Sequence, residues 1–330
     1  MKTIIWRLIF SAALVFAGLS SAQNAAAGES VAEYPTHAVK VIVPFAPAGP
    51  TDMIARIIAQ KLSESLGKQF YVENVAHAGG NTGMAMAAKA AADGYTILVH
   101  GSNFIVNPSL YASIPFDPYR DFAPVTLAGT MPNVIVVHPS VHAKSVRELI
   151  ALVRANPGKY NYAHPSTGTT PHLAGELFKL TFALDLVTVP FNGAGLAVQS
   201  VVGGHTPIAF LALPPVASNI KSGNLRALAV LAKKRSVVIP DVPTMEESGI
   251  LNQESDALTG VVVPAGTPRG IIDLLNREIA KAFAQPEVKK RLAELGFEPV
   301  ANTPDEYAAY IGAEIPKWGK VVSAAHIRID

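Results

Sequence analysis

The sequence predicts an α/β protein of two lobes, joined by two crossings of the chain and separated by a ligand cleft. Short β-branched apolar runs alternate with amphipathic helices, which is typical of parallel sheets covered by helices. The alternation occurs as two units, with predicted boundaries near 129–133 and 255–260. About 300 residues remain after the N-terminal segment, a length that favours two domains over one.

The first unit begins in the order βαβαβ. Its strands are predicted at 39–45, 70–75 and 95–101, and its helices at 51–66 and 82–92. The first helix places Ile54 and Ile58 on one apolar stripe, and Gly67 suits the position after its C-terminus. A βαβαβ order implies parallel strands joined by right-handed crossovers, so we expect a parallel sheet here.

The second unit repeats the alternation. Strands are predicted at 133–137, 186–191, 208–213 and 225–232, with helices at 145–154 and 172–183 and two more ending near Val202 and Ser222. Ser145 and Glu148 form a capping box at the first of these helices. A further buried strand, 259–264, precedes three helices at 269–284, 286–295 and 303–325. We expect these helices to pack back on the first lobe, which gives lobe 1 as 28–131 with 257–330, and lobe 2 as 132–256.

The first 27 residues have the layout of a secretory signal peptide. Lys2 and Arg7 precede the apolar run 8–19, and small residues follow. That run is too short for a membrane anchor, so we expect cleavage after Ala22 or Ala27 and a periplasmic location. Removing Lys2 and Arg7 lowers the 27 Lys and Arg residues to 25, which equals the 25 Asp and Glu residues. A neutral exported chain lacks the basic surface that nucleic acid would need.

Five loops that follow predicted strands carry mainly small and hydroxyl residues. In open parallel sheets, ligands bind beyond the C-terminal ends of the strands, where helix N-termini present free N–H groups and positive dipole ends. The loops are P-A-G-P-T-D (47–52), A-G-G-N-T-G (78–83), G-S-N (101–103), S-T-G-T-T (166–170) and N-G-A-G (192–195). One such loop alone is more often a turn that needs positive φ. Five of them on two lobes indicate a cleft for a small anion, with a carboxylate preferred.

Residues for other chemistries are missing from the sequence. The chain has no cysteine, no His-Glu-x-x-His, no Gly-x-Ser-x-Gly and no Walker sequence. His138 and His142 have metal-like spacing, but Pro139 argues against a shared helix face. G-A-G-L-A-V (193–198) lacks the third glycine of a dinucleotide fingerprint. We therefore expect no catalytic residue, no metal and no cofactor.

Several longer motifs together resemble one family. Their order and content are similar to the tripartite tricarboxylate transporter receptors, the periplasmic solute-binding proteins also called the Bug family. The motifs are Y-P-T-H-A-V-K-V-I-V-P-F-A-P-A-G-P-T-D, G-G-N-T-G-M-A-M-A-A-K-A-A-A-D-G-Y-T-I-L, N-P-S-L-Y, S-T-G-T-T-P-H-L-A-G-E, V-P-F-N-G-A-G and D-V-P-T-M-E-E-S-G. The similarity runs from about Tyr34 to Trp318. It implies a type II periplasmic-binding-protein fold that closes on its ligand, usually a di- or tricarboxylate or an aromatic acid and sometimes an amino acid.

The resemblance also implies the binding residues and the partner. In the family, the loops after the first two strands hold a ligand carboxylate, largely through backbone amides and ordered water, and the second lobe selects the rest. Carried across, the candidate ligand-binding residues are Phe45, Ala48, Gly49, Thr51, Asp52, Gly79, Gly80, Asn81, Thr82, Gly83, Ser102, Asn103, Ser166, Thr167, Gly168, Thr169, Thr170, His172, Phe191, Asn192, Gly193 and Leu211. The implied partners are the large and small membrane subunits of a tripartite transporter, and we expect a monomeric receptor. A sensing module that signals to a membrane kinase is the alternative.

Two departures from the family pattern bear on the ligand. Ala48 replaces a usual glycine, and Pro50 removes one donor N–H and stiffens the first loop. Where the family often reads G-G-x-x-D-x-x-F-D, this chain has Pro207 and Leu211. Without an acid at Leu211, the second lobe has less means of neutralising a ligand ammonium. We therefore hypothesise a carboxylate other than an amino acid, with an apolar or neutral distal part.

Within the loops, individual residues have structural interpretations as well as functional ones. Asp52 is expected to orient the first loop rather than act as an acid, and Asn81 suits both a helix start and a ligand donor. His164 and His172 flank the 166–170 loop, and His172 is the stronger candidate for a ligand-facing donor. Replacing Gly80 with valine is expected to abolish binding while the fold stays intact.

Overall fold

The computed structural model describes residues 33–47, 49–191 and 193–329. The predicted signal peptide (1–27) and the candidate residues Ala48 and Asn192 lie outside this set. Within the described ranges, none of the helices has both the length and the apolar character needed to cross a bilayer.

The first unit has the predicted order. It consists of β1 (Val39–Val43), α1 (Pro50–Leu66), β2 (Phe70–Asn74), α2 (Asn81–Ala88) and β3 (Thr96–Gly101). β1 pairs in parallel with both β2 and β3, which confirms a parallel sheet in this part of the chain. Ile54 and Ile58 of α1 are buried, and Gly67 has the left-handed backbone expected after a helix (φ 72°). α2 ends before the predicted residue 92, and Asp93 then accepts the N–H of Tyr95 in a turn that leads to β3.

Besides two short 3₁₀ turns and the two-residue strand Glu298–Pro299, three elements were not predicted: α3 (Asn103–Leu110), the first part of β4 (Phe122–Val137) and β5 (Asn161–His164). Each contradicts a local rule. Pro108 lies inside α3, and β4 contains Pro124 and Pro132, residues that disfavour helix interiors and central strands. β5 is only four residues long and has no β-branched residue. Long-range packing outweighs local preference in all three.

The second unit and the C-terminal region follow the predicted alternation. Their elements are α4 (Val146–Arg154), α5 (Thr170–Phe182), β6 (Val187–Pro190), α6 (Ala194–Val202), β7 (Ile208–Ala212), α7 (Ala217–Lys221), β8 (Arg226–Val230), β9 (Asp256–Pro264), α8 (Arg269–Ala284), α9 (Pro286–Glu294), β10 (Glu298–Pro299) and α10 (Pro304–Ala324). Ser145 accepts the N–H of Glu148 at 3.2 Å, as expected of an N-cap.

Strand β4 runs through both lobes. Up to Pro132 it pairs antiparallel with β9, and at 133–137 it pairs antiparallel with β7 and β8. The first sheet therefore has the order β2-β1-β3-β9-β4, and the second has the order β8-β4-β7-β5-β6. Both sheets are mixed rather than wholly parallel, because β4 and β9 run against their neighbours.

Helices cover both faces of each sheet. On the first sheet, Leu275 of α8 shares a buried cluster with Ile58 of α1. Trp318 of α10 shares another with Phe104 of α3. The C-terminal helices thus return to the first lobe. Phe178 of α5 belongs to the buried apolar cluster on one face of the second sheet.

Candidate functional site

The five candidate loops lie at the C-terminal ends of parallel strands. Those after β1, β2 and β3 share one edge of the first sheet, and those after β5 and β6 share one edge of the second. The helices that begin there, α1, α2, α3, α5 and α6, have no side-chain N-cap. Helices α8 and α9, which begin elsewhere, have no side-chain N-cap either. The missing caps alone therefore do not distinguish the candidate loops.

The loop after β1 is held by Asp52. Its two carboxylate oxygens accept Nε of Arg56 and Nδ2 of Asn74, both at 2.9 Å. Asn74 Nδ2 also donates to the carbonyl of Phe45 at 3.0 Å. Asp52 is 2% exposed, so it orients the loop against the end of β2, as the sequence suggested.

Other predicted residues of this loop differ in accessibility. Gly49 caps α1 with an extended backbone (φ −76°), so it is not a left-handed position. Thr51 is largely buried, whereas Phe45 is partly exposed. Phe45 is therefore the side chain of this loop with the larger surface available to a ligand.

The loop at 78–83 is a tight turn held by close packing. Ala78, Gly79 and Gly80 all have positive φ, at 50°, 62° and 92°. A Cβ on Gly80 would overlap Nδ2 of Asn103 and lie 3.0 Å from the carbonyl oxygen of Pro44. The glycines are thus required by the packing of three loops even without a ligand. The expectation that Gly80→Val leaves the fold intact is corrected accordingly.

Helix α3 organises the 78–83 loop. Nδ2 of Asn103 and Nδ2 of Asn107 donate to the carbonyl of Gly79, at 2.9 and 3.1 Å. Asn107 Nδ2 also donates to Oδ1 of Asn81 at 2.7 Å. Asn81 is 5% exposed, so its side chain serves the loop, whereas Thr82 is exposed. Sequence reasoning missed Asn107, although it begins the N-P-S-L-Y motif.

Two predicted residues of the first lobe have mainly structural contacts. Oγ of Ser102 accepts the backbone N–H of Leu258 in β9 at 3.1 Å, and Ser102 is 9% exposed. A Cβ on Gly83 would lie 2.9 Å from the carbonyl oxygen of Val75. Ser102 therefore ties its loop to a strand, and Gly83 allows α2 to approach the end of β2.

The 166–170 loop of the second lobe packs on the same helix. Gly168 (φ 80°) lies so close to Leu110, the last residue of α3, that a Cβ would overlap the leucine side chain. Ser166 and Thr167 are exposed. Thr169 Oγ1 donates to the carbonyl of Ser166 at 2.7 Å. Helix α3 thus brings a loop of each lobe to its two ends.

The start of α5 is anchored to both connections between the lobes. Thr170 is 2% exposed, and its carbonyl accepts Oγ of Ser255, which precedes β9, at 3.3 Å. Nδ2 of Asn133 in β4 donates to the same Oγ at 3.0 Å. Both chain segments that join the sheets therefore contact this helix start through one buried serine.

A pair of buried imidazoles lies under the 166–170 loop. The rings of His164 and His172 stack with centroids 4.2 Å apart. Nδ1 of His164 is 3.0 Å from the carbonyl of Ser166, so this nitrogen carries the proton. Nδ1 of His172 accepts the N–H of Gly168 at 3.1 Å, so its proton resides on Nε2. The two neutral rings are opposite tautomers.

Burial keeps both imidazoles neutral. Burial, with a smaller contribution from the neighbouring His172, lowers the pKa of His164 to about 3. Burial also lowers the pKa of His172 to about 4. The predicted donor role of His172 is compatible with this geometry, because no hydrogen bond within the described part of the chain uses its Nε2–H.

The loop at 191–195 is anchored by backbone hydrogen bonds. The N–H of Phe191 donates to the carbonyl of His164 at 3.0 Å, and that of Gly193 donates to Pro165 at 2.7 Å. Gly193 has φ 105°, and a Cβ there would meet no atom within 4 Å. Phe191 is partly exposed and Gly193 exposed, so this loop has surface available to a ligand.

Leu211 does not line the cleft. It lies in β7 opposite Val134, is 0% exposed, and packs in a cluster with Ala197 and Val201 of α6. Its placement among the ligand-binding residues is therefore corrected. The replacement of the family's acidic residue by Leu211 therefore cannot select the ligand through direct contact.

The loops themselves have little charge. In the segments 45–52, 78–83, 101–103, 166–170 and 191–195, Asp52 is the one acidic residue, and there is no Lys or Arg. The nearest acid in α5, Glu176, accepts hydrogen bonds from Lys179, Tyr162 and Thr188. An anion at these loops would meet backbone N–H groups, hydroxyls and an imidazole rather than a cation.

Two further concave surfaces are not lined by residues of these loops. A groove of about 420 Å³ is bordered by Arg147, Arg154 and Leu251 on the second lobe. A second, of about 490 Å³, is bordered by Tyr111 and His326 on the first. No group of His, Asp and Glu in the described part of the chain is arranged to hold a metal ion.

The two α/β lobes each bring a candidate loop to helix α3. This is the architecture of a solute-binding protein. The model of the family described as "Tripartite tricarboxylate transporter family receptor" matches residues 54–327. The chain belongs to this family of periplasmic receptors, and it is a substrate-binding receptor rather than an enzyme.

Similar proteins cover almost the whole chain. The protein BugT of Bordetella pertussis is 40% identical over 90% of this chain and 92% of its own length. The structure of R. palustris Rpa4515 with adipate is 33% identical, with a TM-score of 0.81 over 89% of this chain and 99% of that one. The structure of MatC from Rhodopseudomonas palustris with bound malate is 31% identical, with a TM-score of 0.77 over 88% and 100%.

Proposed function

We propose that this receptor binds a small carboxylate other than an amino acid, for uptake by a tripartite tricarboxylate-type transporter. Di- and tricarboxylates and aromatic acids are the expected ligand classes. The observation that carries the proposal is the meeting of loops from both lobes at α3, with Gly79 bound to Asn103 and Asn107 and with Gly168 packed on Leu110. Two similar receptors have been solved with the dicarboxylates adipate and malate.

Neutral donors and helix dipoles would supply the attraction for the anion. Helices α1, α2, α5 and α6 begin at the loops without a side-chain cap, and N–H groups at a helix start favour an anion. At α3, Oδ1 of Asn103 already accepts the N–H of Phe104. The absence of Lys and Arg from the loops means that the site would recognise a carboxylate by hydrogen-bond geometry.

The acids near the loops argue against an amino-acid ligand. Asp52 is paired with Arg56, and Glu176 is paired with Lys179. A ligand ammonium would need a carboxylate to offset its charge, and both of these already have a cationic partner.

Within the site, we propose that the 47–52 and 78–83 loops hold the shared carboxylate. The 166–170 and 191–195 loops would then select the rest of the molecule, with Nε2–H of His172 as one side-chain donor. The exposed edge of Phe191 favours a ligand whose distal part has apolar surface.

We further propose that the chain is exported and that its two lobes close on the ligand. Residues 1–27 act as the signal peptide, and the lobes comprise 28–131 with 257–330, and 132–256. The change of β4 partners at residues 132 and 133 supports the first boundary. Ligand binding would favour a closed arrangement of the lobes, which the membrane partner recognises.

Ligand identification tests this proposal directly. The small molecule that co-purifies with the protein is identified by mass spectrometry, followed by a thermal-shift screen with adipate, malate, citrate, benzoate, glutamate and aspartate. A bound carboxylate should raise the unfolding midpoint as its concentration rises. Calorimetry on the best carboxylate should show tighter binding than glutamate or aspartate. If no carboxylate shifts the midpoint, or if glutamate binds best, the proposal is wrong.

The transport partner needs a separate experiment. Ligand-loaded receptor is used to capture solubilised membrane proteins from its native host. Recovery of the large and small transporter subunits supports uptake, whereas recovery of a membrane kinase would indicate the sensing alternative.

A further inference from the structure

We infer that His164 and His172 are positioning residues that hold the 166–170 loop through opposite neutral tautomers. The inference rests on the proposed role of this loop in ligand binding, but it concerns how the loop is shaped rather than which ligand it takes. Nδ1 of each ring bonds to the loop, so the positioning role does not require that atom to contact the ligand.

His164 acts at the start of the loop. It is the last residue of β5 and is 0% exposed. Its Nδ1–H donates to the carbonyl of Ser166, and Thr169 Oγ1 donates to the same oxygen. A carbonyl with two side-chain donors fixes the direction of the chain there, because each donor restricts the carbonyl orientation.

His172 acts at the end of the loop. It lies in the first turn of α5 and is 4% exposed. Its Nδ1 accepts the N–H of Gly168, whose left-handed backbone (φ 80°) turns the chain towards Leu110. That N–H needs an acceptor, and only an unprotonated Nδ1 provides one.

Stacking links the two ends of the loop. The rings lie 27° from parallel, so movement of one imidazole disturbs the other. The carbonyl of His164 also accepts the N–H of Phe191, which connects the pair to the 191–195 loop. Both predicted loops of the second lobe therefore depend on His164.

The buried Nε2 of His164 supports the assignment. This atom has no hydrogen-bond partner among the described residues. A protonated imidazole would leave an N–H buried and unsatisfied there, which is costly. The charged and titratable groups around the pair are Glu176 and Lys179 of α5 and Tyr162 of β5, and Glu176 already binds both of the others. The surroundings thus offer no free carboxylate to stabilise an imidazolium.

Nitrogen NMR of selectively labelled histidine tests the tautomers without a ligand. The expected result at pH 7 is a protonated Nδ1 in His164 and a protonated Nε2 in His172. Assignment of the two rings comes from the single variants His164→Asn and His172→Asn. The same tautomer in both rings, or a charged ring at pH 7, overturns the inference whatever the ligand proves to be.

Variants that keep or remove the Nδ1 hydrogen bond distinguish a positioning role of each histidine from a packing role. Asparagine places an amide group where histidine has Nδ1, so His164→Asn keeps a donor for Ser166 and His172→Asn keeps an acceptor for Gly168. Leucine at either position keeps apolar volume without the hydrogen bond. The backbone amide signals of Gly168 and Thr169 should stay near wild type in the asparagine variants and move in the leucine variants.

Binding of adipate and malate provides the second readout. We expect roughly tenfold weaker binding in each leucine variant, as for a lost hydrogen bond at a ligand loop, and less than threefold weakening with asparagine. His142→Leu, an exposed histidine outside the loops, is the control. Equal losses with asparagine and leucine in folded variants overturn the inference. If wild type binds neither probe, the wider carboxylate screen decides the proposed ligand class, and the tautomers and amide signals still decide the positioning role.

Discussion

Gly168 of the second lobe lies directly against Leu110 of the first, with no space for a β-carbon between them. Leu110 ends helix α3, whose start binds the carbonyl of Gly79 through Asn103. A single helix of eight residues therefore connects the main candidate loop of one lobe with that of the other. The contact between Gly168 and Leu110 therefore lies between the two lobes.

Substitution of Gly168 tests this contact. Gly168→Ala introduces a β-carbon that overlaps Leu110 and forces alanine into positive φ, so we expect a loss of about 1–3 kcal/mol in the free energy of unfolding. Adding Leu110→Ala makes space and should make the double variant less unstable than the sum of the single changes. Urea unfolding measures each variant.

The matched control for this series is Gly195→Ala. A Cβ at Gly195 meets no atom within 4 Å, and the residue lies in the first turn of α6. The change should be neutral or slightly stabilising. Strict additivity of Gly168→Ala and Leu110→Ala would contradict the close contact between the two residues.

A comparison of substitutions at Gly80 and Gly67 distinguishes the cost of close packing from the cost of backbone strain. Both have positive φ, at 92° and 72°, but a Cβ on Gly80 meets Asn103 and Pro44 whereas one on Gly67 meets nothing within 4 Å. We expect Gly67→Ala to cost about 1 kcal/mol and Gly80→Ala at least about 2 kcal/mol more. Chemical denaturation measures both. Equal costs would mean that the loops relax around Gly80.

Three buried neutral histidines should make the protein sensitive to acid. Burial lowers the pKa of His100 to about 4, of His164 to about 3 and of His172 to about 4, all below the unfolded value of 6.5. The unfolded chain binds these protons first, so their contribution to stability is complete above pH 6.5 and decreases as the pH falls towards 4. Each histidine contributes up to about 1.4 kcal/mol per pH unit in that range.

The measurement is the free energy of unfolding between pH 7 and 4.5. His164→Asn removes one titrating group and should flatten the decrease. A stability that stays constant or rises as the pH falls from 6.5 would contradict the neutral, buried state of these rings.

Asp256 should have the opposite pH dependence. Burial, with a smaller contribution from Glu298, raises the pKa of this carboxyl to about 7, and its Oδ1 has no hydrogen-bond partner among the described residues. A folded pKa above the unfolded value of 3.8 means that the proton stabilises the fold at low pH and that this contribution is lost as the pH rises through 7. The residue opposite Asp256 in the sheet is Pro132, where β4 changes partners.

Replacing this carboxyl by an amide tests the prediction. Asp256→Asn should raise the free energy of unfolding by about 1–3 kcal/mol at pH 8, and the difference should shrink towards pH 4. Thermal unfolding of both proteins across this range provides the measurement. A destabilised Asp256→Asn at pH 8 would show that the charged carboxylate has a favourable partner.

Local patterns predicted most elements but not the ones that organise the site. The apolar run at β1 and the stripe of Ile54 and Ile58 in α1 were sufficient for those elements, because their periodicity repeats over a few residues. Helix α3 was missed because Pro108 disfavours it locally, and its packing of Phe104 and Leu110 against α10 outweighs that preference.

In the candidate site, too, sequence patterns predicted some features and missed others. The loops were found from their composition and their positions after strands, and the structural interpretation of Asp52 agrees with its contacts to Arg56 and Asn74. Leu211 was placed at the cleft through its position in the family pattern G-G-x-x-D-x-x-F-D, and in the structure the residue is fully buried in β7. Asn107 was missed because its partners, Gly79 and Asn81, lie far away in the sequence.

The amino-acid sequence by itself determined the family, the alternation of strands and helices, and five loops without Lys or Arg, since each of these is a property of order or composition. The tertiary structure alone decided that Gly168 lies on Leu110, that Ser255 joins Asn133 to Thr170, and that the two stacked histidines take opposite tautomers. Those facts depend on distances between residues far apart in the chain, and a hydrogen bond or a close contact leaves no periodic signal in the sequence.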